Sequence, residues 1–420
     1  MLNRVLVVAG VVAVAAIFGL VALVLTSQDS PAADESVASL DVEPELLPDP
    51  SARGVIVLTS DGDLRGYTPD GEAATGPLAM PYTGGFSPSG AWQALLHCTD
   101  VDACDLVLVP AGATIQAEDL ETNAVELDAS FSGGEWSLSG TSFAALDSNG
   151  RLYLVEPFSR EARVVQECCV TAFAWTAQDE LLIADESASG ATNLVLAGLD
   201  GGITEIAGTA SPVERFYPSP DAMQFAFAQS RGEQFGLTTV DAAGWSLTDY
   251  GMLHGLTGVE GPQFAIAWSP DQRYIAVGPV NAPYSLYVLD TQDGAIAANH
   301  EFVEGYAGEL MWSPSGNTLA ISTYSPDRSR HEVYVIVPST DDSPRHLLGG
   351  CRIVWAPDGR FLAVKAEPHT RGAEAVNVST GHHWRLAGLP GMTPVAWGED
   401  EASALLQMRV PDRSAAVLGK

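Results

Sequence analysis

The chain is 420 residues long, 46% hydrophobic and only 17% charged, and its 53 acidic side chains outnumber 20 basic ones for a formal balance of −33. A surface this acidic repels phosphate backbones and excludes a nucleic-acid-binding role, which needs a basic stripe. The apolar fraction excludes a disordered acidic chain, and with Lys365 and Lys420 as the only lysines, chemistry centred on a lysine has almost no candidates.

Val5 to Leu25 is an uncharged apolar run of 21 residues. As a helix it spans about 30 Å, the thickness of a bilayer's hydrocarbon core. A cleaved signal peptide carries an apolar region of about 7–15 residues and then a small-x-small site. This run is longer and is followed by Thr26-Ser27-Gln28-Asp29, so residues 1–25 are expected to be an uncleaved transmembrane signal anchor, with a removed signal sequence as the alternative. Arg4 precedes the run and the next basic residue is Arg53. The positive-inside bias then leaves the N-terminus cytoplasmic and everything after residue 25 extracytoplasmic, at the cell surface or in the periplasm. Residues 26–53 carry Pro31, Pro44, Pro48 and Pro50 and seven acidic residues between Asp29 and Asp49. They read as an extended, self-repelling tether.

From residue 54 to 420 one motif recurs: an aromatic, then Ser-Pro-(Ser/Asp)-(Gly or polar), then a short aliphatic strand. Clear copies begin at Phe86, Trp268, Trp312 and Trp355, and weaker ones at Trp136, Trp175, Pro218 and Trp397. The eight starts are separated by about 44 residues on average. Serine at the first turn position can bond its own backbone, proline presets φ at the second, and glycine accommodates the fourth, so the motif is a tight turn between antiparallel strands. Two further strands are readable in most periods, as at Leu286–Asp290 and Val333–Val337, and no window after Arg53 shows a helical stripe. Four antiparallel strands per period predict an all-β chain: a β-propeller of four-stranded blades. Eight blades follow if both termini share one, with Val55–Leu58 and Leu64–Tyr67 as outer strands beside Val395–Val410 and Ala415–Leu418. Seven follow if one copy is degenerate.

The W-S-P-[DS]-G turn with its aliphatic strand resembles the TolB-type, WD40-like propeller repeat of bacterial envelope proteins, which also forms the propeller of prolyl-oligopeptidase-type peptidases. The resemblance covers about Val55 to Gly419. It departs from those families in lacking the separate α/β domain that accompanies the TolB propeller and any hydrolase domain after the propeller. It is a match at the level of the repeat and says little about which member of those families the chain resembles.

Among candidate sites, Cys98 and Cys104 flank a turn and are expected to form a disulfide outside the membrane, with two free thiols as the alternative. Cys168-Cys169 and Cys351 read as core thiols, a vicinal disulfide being the alternative for the adjacent pair. Trp136, Trp175, Trp268, Trp312, Trp355 and Trp397 stand at one strand end per blade, as packing between blades requires. Trp92, Trp245 and Trp384 break that register and are the candidates for an exposed ligand surface. His382-His383 read as surface residues pointing to opposite faces. Asp61-Gly62-Asp63 and Asp290–Gly294 read as hairpin turns, and Asn377-Val378-Ser379 fits the glycosylation pattern. Loops about His97–Asp105, Ser230–Gln234 and Tyr250–Pro262 are places for a partner. No G-x-S-x-G, H-E-x-x-H, P-loop or dinucleotide fingerprint occurs, and no cofactor or metal site is expected. The resulting expectation is a membrane-anchored propeller that binds an envelope or secreted protein, or another ligand, without catalysis. The alternative is a lactonase-like extracytoplasmic hydrolase with a metal or carboxylate site in the central channel.

Overall fold

The computed structural model describes residues 47–60, 63–74, 87–100, 103–110, 123–231, 234–253, 264–279, 284–302, 306–325, 330–340, 343–367, 372–386, 392–399 and 415–416. The chain divides into Met1–Glu45, which lies outside the described residues together with the expected membrane segment, and Leu46–Lys420, which holds every strand found among the described residues. Among the described residues no helix is long and apolar enough to cross a membrane.

The strands follow the repeat. Near the N-terminus lie β1 (Val55–Ser60), β2 (Asp63–Tyr67), β3 (Trp92–Asp100) and β4 (Ala103–Pro110). Then come β5 (Phe131–Trp136), β6 (Phe143–Asp147), β7 (Leu152–Val155) and β8 (Ala162–Gln166), followed by β9 (Val170–Trp175), β10 (Leu181–Glu186), β11 (Thr192–Ala197) and β12 (Ile203–Thr209). The next period holds β13 (Tyr217–Pro218), β14 (Gln224–Arg231), β15 (Gln234–Asp241) and β16 (Ser246–Leu253). It is followed by β17 (Phe264–Trp268), β18 (Tyr274–Pro279), β19 (Tyr284–Asp290) and β20 (Ile296–Phe302). The last part holds β21 (Tyr306–Trp312), β22 (Leu319–Tyr324), β23 (His331–Ile336), the long β24 (Arg345–Trp355), β25 (Phe361–Ala366), β26 (Ala373–Asn377), β27 (His383–Arg385), β28 (Thr393–Gly398) and β29 (Ala415–Ala416).

Each period is an antiparallel meander: β5 to β8, β9 to β12, β13 to β16 and β17 to β20 are four-stranded sheets in sequence order. β24 is the fourth strand of the β21–β23 sheet over Arg345–Gly349 and the first strand of the β25–β27 sheet over Gly350–Trp355. β1 lies between β2 and β28, so the two ends of the folded chain close one sheet. This matches the expected sharing of a sheet by both termini, with two corrections: β1 pairs directly with β28, where a second strand from Val395–Val410 is expected, and Ala415 and Ala416 pair with Met311 and Leu310 of β21, in a different sheet. A two-residue bridge thus adds to the edge of β21, whereas the sequence reading makes Ala415–Leu418 the third strand of the sheet that holds β28.

The cores lie between sheets. In β10, Leu181 and Ile183 join Ala144, Leu152 and Trp175 in one cluster, while Leu182 and Ala184 join Phe216, Phe225 and Phe227 in the next. The two-residue period of a strand sends alternate side chains to the two neighbouring sheets, which is why these strands read as near-continuous apolar runs. Fourth strands such as β12 are largely exposed, whereas successive first strands lie beside one another. Sheets stacked this way about a common axis of first strands form a β-propeller, and each four-stranded meander is a blade.

The folded body begins earlier than the expected tether boundary at residue 53. Asn377 Nδ2 donates to Asp49 Oδ2 at 2.9 Å, the Leu47 carbonyl meets His382 Nε2 at 2.8 Å, and Ala52 is buried. Residues 47–53 therefore strap onto the sheet of β25–β27.

Candidate functional site: the crossover face

The two faces of the ring are built differently. On one, the first strand of each blade turns into the second through the repeated motif. At its fourth position φ is positive in every described copy: Gly90, Gly140, Asp179, Ala222, Gln272, Gly316 and Gly359. Its amide donates to the carbonyl of the first turn residue, as from Gly316 to Ser313 at 2.8 Å and from Gln272 to Ser269 at 2.8 Å. The serine hydroxyl accepts the amide that opens the second strand, as from Tyr274 to Ser269 Oγ at 2.8 Å. Neighbouring turns touch: Ser139 N donates to Asp179 Oδ1 at 3.3 Å, Ala177 N to the Ala222 carbonyl at 3.2 Å, and Gly316 lies against Asp271. Asp221 is held below its ordinary carboxylate range. Burial works against this, but hydrogen bonds from Ser219, the Met223 amide and Gln272 of the next turn outweigh it. These turns occupy five or six residues between first and second strands in each of the four-stranded blades.

The opposite face carries the connections from second to third strand and the crossovers to the next blade. Their lengths vary from none, within β24, to the ten residues between Leu253 and Phe264. At the crossover within β24, Glu309 is only 8% exposed. Its Oε1 accepts from Arg352 at 3.0 Å, its Oε2 accepts from the Ile353 amide at 3.0 Å, and its own amide donates to Ser322 Oγ at 2.9 Å. Gly308 permits that last contact, because a Cβ there would stand 2.7 Å from the Ser322 hydroxyl. Burial pushes the Glu309 carboxyl upward, against the pull of Arg352 and the Ile353 amide. Arg352 has a φ of 54° and a half-exposed side chain. Beside it, Cys351 is a free, half-buried thiol pushed up to about 11, first by burial and then by Glu309. Lys365 lies directly opposite in register, and His331 pairs with Glu367 close by. A thiol with that pKa is protonated at neutral pH and a poor nucleophile. The half-exposed guanidinium, backed by a buried carboxylate, suits recognition of polar groups on a partner.

The expected site residues fall as follows. Cys98 and Cys104 lie directly opposite one another in the β3–β4 hairpin, and Cys104 is disulfide-bonded. The strands run through most of the loop expected at His97–Asp105, up to Asp100 and again from Ala103. Similarly, Arg231 pairs with Gln234 in a tight hairpin, and β16 extends to Leu253; 232–233 and 254–263 lie outside the described residues. Trp384 is 1% exposed with its indole donating to the Pro69 carbonyl, which corrects its reading as a surface aromatic. Trp92 and Trp245 are half-buried against the cores of their blades. The register tryptophans do pack blades together: the indoles of Trp175, Trp268, Trp312 and Trp355 donate to the carbonyls of Glu135, Tyr217, Ala267 and Met311 on the preceding first strands, at 2.8–3.0 Å.

Cys168 and Cys169 are exposed and bonded to each other, so the core-thiol reading is corrected. Cys351 is only half-buried. His382 and His383 do go to separate partners, the Leu47 carbonyl and Glu374. Asp290 is a turn residue, accepting from the Gln292 amide and paired with Arg273; residues 61–62 lie outside the described residues. Asn377 is 5% exposed, with its amide committed to Asp49, Ser379 and Thr380, so the folded chain does not present it for glycosylation. Glu309 and Arg352 were not anticipated; the signal was a lone acid inside an otherwise apolar first strand, Gly308-Glu309-Leu310-Met311-Trp312. Among the described residues no group of three or more His, Cys, Asp or Glu stands placed to hold a metal ion.

Sheet order, indole bonds and terminal closure thus define a β-propeller of four-stranded antiparallel blades. No protein-family model matches the chain. No curated protein matches it either. Solved structures that it is similar to include an oligogalacturonate lyase in complex with manganese, at 13% identity and a TM-score of 0.43 over 81% of this chain and 86% of that one. Another is the Cps50 (Swd1) β-propeller domain of Myceliophteria thermophila, at 15% identity and a TM-score of 0.39, covering 62% and 87%. A third is a putative TolB from Agrobacterium tumefaciens, at 19% identity and a TM-score of 0.36, covering 54% and 83%. The propeller architecture rests on the pairings and bonds above and not on these distant likenesses.

Proposed function

We propose that the chain is a membrane-anchored, extracytoplasmic propeller of eight blades that binds an envelope or secreted protein through its crossover face and does no chemistry itself. The observation that carries this reading is the contrast between the faces. One is a ring of near-identical turns bonded to each other. The other carries connections of varied length, as binding surfaces mounted on a rigid scaffold do. The six four-stranded blades, the β2-β1-β28 sheet and the β3-β4 sheet make eight units. The disulfide at Cys104, proposed to be shared with Cys98, and the Cys168–Cys169 bond favour an oxidising compartment. The apolar run Val5–Leu25 supports an anchor with a cytoplasmic N-terminus.

The test is cross-linking in intact cells with a photoreactive residue placed either at Ser189, in an exposed turn of the crossover face, or at Asp358, in an exposed repeat turn. A single protein neighbour captured from Ser189 and not from Asp358 is the expected result. Capture from Asp358 alone overturns the assignment of the face. A second seat is favoured by one observation: Phe158, Leu199, Ile203, Leu247, Ile296 and Val337 are exposed apolar side chains at or beside the turns between third and fourth strands. A probe at Phe158 reports on that rim.

A further inference from the structure

We infer that Cys168–Cys169 is a redox-operated latch that locks the crossover from β8 to β9 and opens when a dithiol reduces it; this goes beyond the binding reading and does not depend on it. The two cysteines are adjacent, bonded to each other and exposed. Cys169 holds a φ of 69°, a left-handed conformation that residues with a Cβ avoid. From there the crossover reaches two connections on the same face. The Glu186 amide donates to the Cys169 carbonyl at 2.8 Å, and the Val170 amide donates to the Gly150 carbonyl at 3.1 Å. Gly150 sits so close that a Cβ on it would stand 3.3 Å from the Cys169 amide nitrogen.

The crossover within β24 supplies the comparison inside the same molecule. There Gly349 occupies the position matching Cys169, six residues before the register tryptophan, and its carbonyl accepts from the Glu367 amide at 3.0 Å; the left-handed Arg352, with a φ of 54°, lies three residues further on. No disulfide holds it. The buried Glu309 does so instead, through the Arg352 guanidinium and the Ile353 amide. The Val170 amide has no such carboxylate and is held by the Gly150 carbonyl. The two crossovers are thus held by different means, and the disulfide, unlike the contacts of Glu309, can be opened chemically. A reductant thiolate attacks one sulfur, breaking the S–S bond and forming a mixed disulfide; the reductant's second thiol then displaces the protein sulfur. Two electrons and two protons pass to Cys168 and Cys169, and the reductant leaves as its own disulfide. Once reduced, Cys169 is free to leave the left-handed region, releasing the bonds at Glu186 and Val170.

The experiment is amide hydrogen exchange on the full-length chain with and without dithiothreitol under native conditions, with alkylation and peptide mass mapping to follow the thiols. Reduction should make residues 168 and 169 alkylatable and speed exchange at the Val170 and Glu186 amides about tenfold, leaving Ile353 unchanged. A Cys168→Ser/Cys169→Ser variant should exchange fast at both amides whether or not the dithiol is present. Cys168→Ser/Cys169→Gly, which tolerates the left-handed φ, should recover much of the slow exchange; it and the native chain keep the test open if the serine pair fails to fold. The latch is overturned if the pair resists the dithiol until the protein is denatured. It is equally overturned if exchange at Val170 and Glu186 does not change on reduction, or if Ile353 accelerates with them.

Discussion

The indole N–H of Trp312 donates to the Ala267 carbonyl on the neighbouring blade at 3.0 Å while its rings, 1% exposed, fill the core between them. One side chain thus contributes both area and a directional bond, and the same pairing repeats from Trp175 to Trp355. Trp312→Phe keeps most of the area but leaves a buried carbonyl without its donor, which costs about 1–2 kcal/mol. Trp312→Ala also opens a cavity and should cost about 3–5 kcal/mol. Urea denaturation of the two variants separates these contributions, and equal losses would show that the bond adds nothing to the packing. The tryptophan row was legible from its spacing. Trp384 was not, because a residue outside the repeat register carries no sign of whether its strand edge faces solvent or, as here, the Pro69 carbonyl of a sheet built from the other end of the chain.

The repeated turn is the element that most resembles its sequence reading, and its exceptions are informative. Where the fourth position is not glycine, a contact offsets the left-handed cost of roughly 1–2 kcal/mol. Asp179 bonds the Ser139 amide, Gln272 bonds Asp221, and the Ala222 methyl is fully buried in the adjoining core. Gly316 has a φ of 74° and would set a Cβ 3.2 Å from Asp271 Oδ1. Gly316→Ala is therefore expected to lower stability by more than the left-handed cost of about 1–2 kcal/mol, whereas Gly190→Ala, with a φ of 79° and open space around it, should show that backbone part alone. Comparing their thermal midpoints checks this; a smaller loss at Gly316 would mean that the turns yield to each other.

For the molecule as a whole, ring closure joins residues more than three hundred positions apart, through β1 on β28 and the strap at Asp49. Hydrogen bonds from the Ser51 hydroxyl and amide and from Asn377 hold the Asp49 carboxyl at about 2, below its ordinary value of 3.8. A folded pKa below the unfolded one means that the carboxylate's stabilisation is complete above about pH 4 and is lost as pH falls towards 2. Asp49→Asn should accordingly be less stable than the native chain at pH 7 and indistinguishable from it at pH 2; a difference that persists unchanged at pH 2 would show that the charge plays no part. Blade architecture, the meander order and the sharing of a sheet by both ends could all be read from the chain alone, because turn chemistry and two-residue alternation are local and repeat about eight times. The sequence by itself also carried the acidic charge and the apolar run on which the membrane and extracytoplasmic proposals rest. Only the tertiary structure decided that Glu309 and Arg352 lock a crossover, that Cys168 and Cys169 are exposed and bonded, that Asn377 is committed to Asp49, and that the fold begins before residue 53. Each of these depends on which strand edge or loop meets which neighbour across the ring, and that is set by the packing of blades distant in sequence.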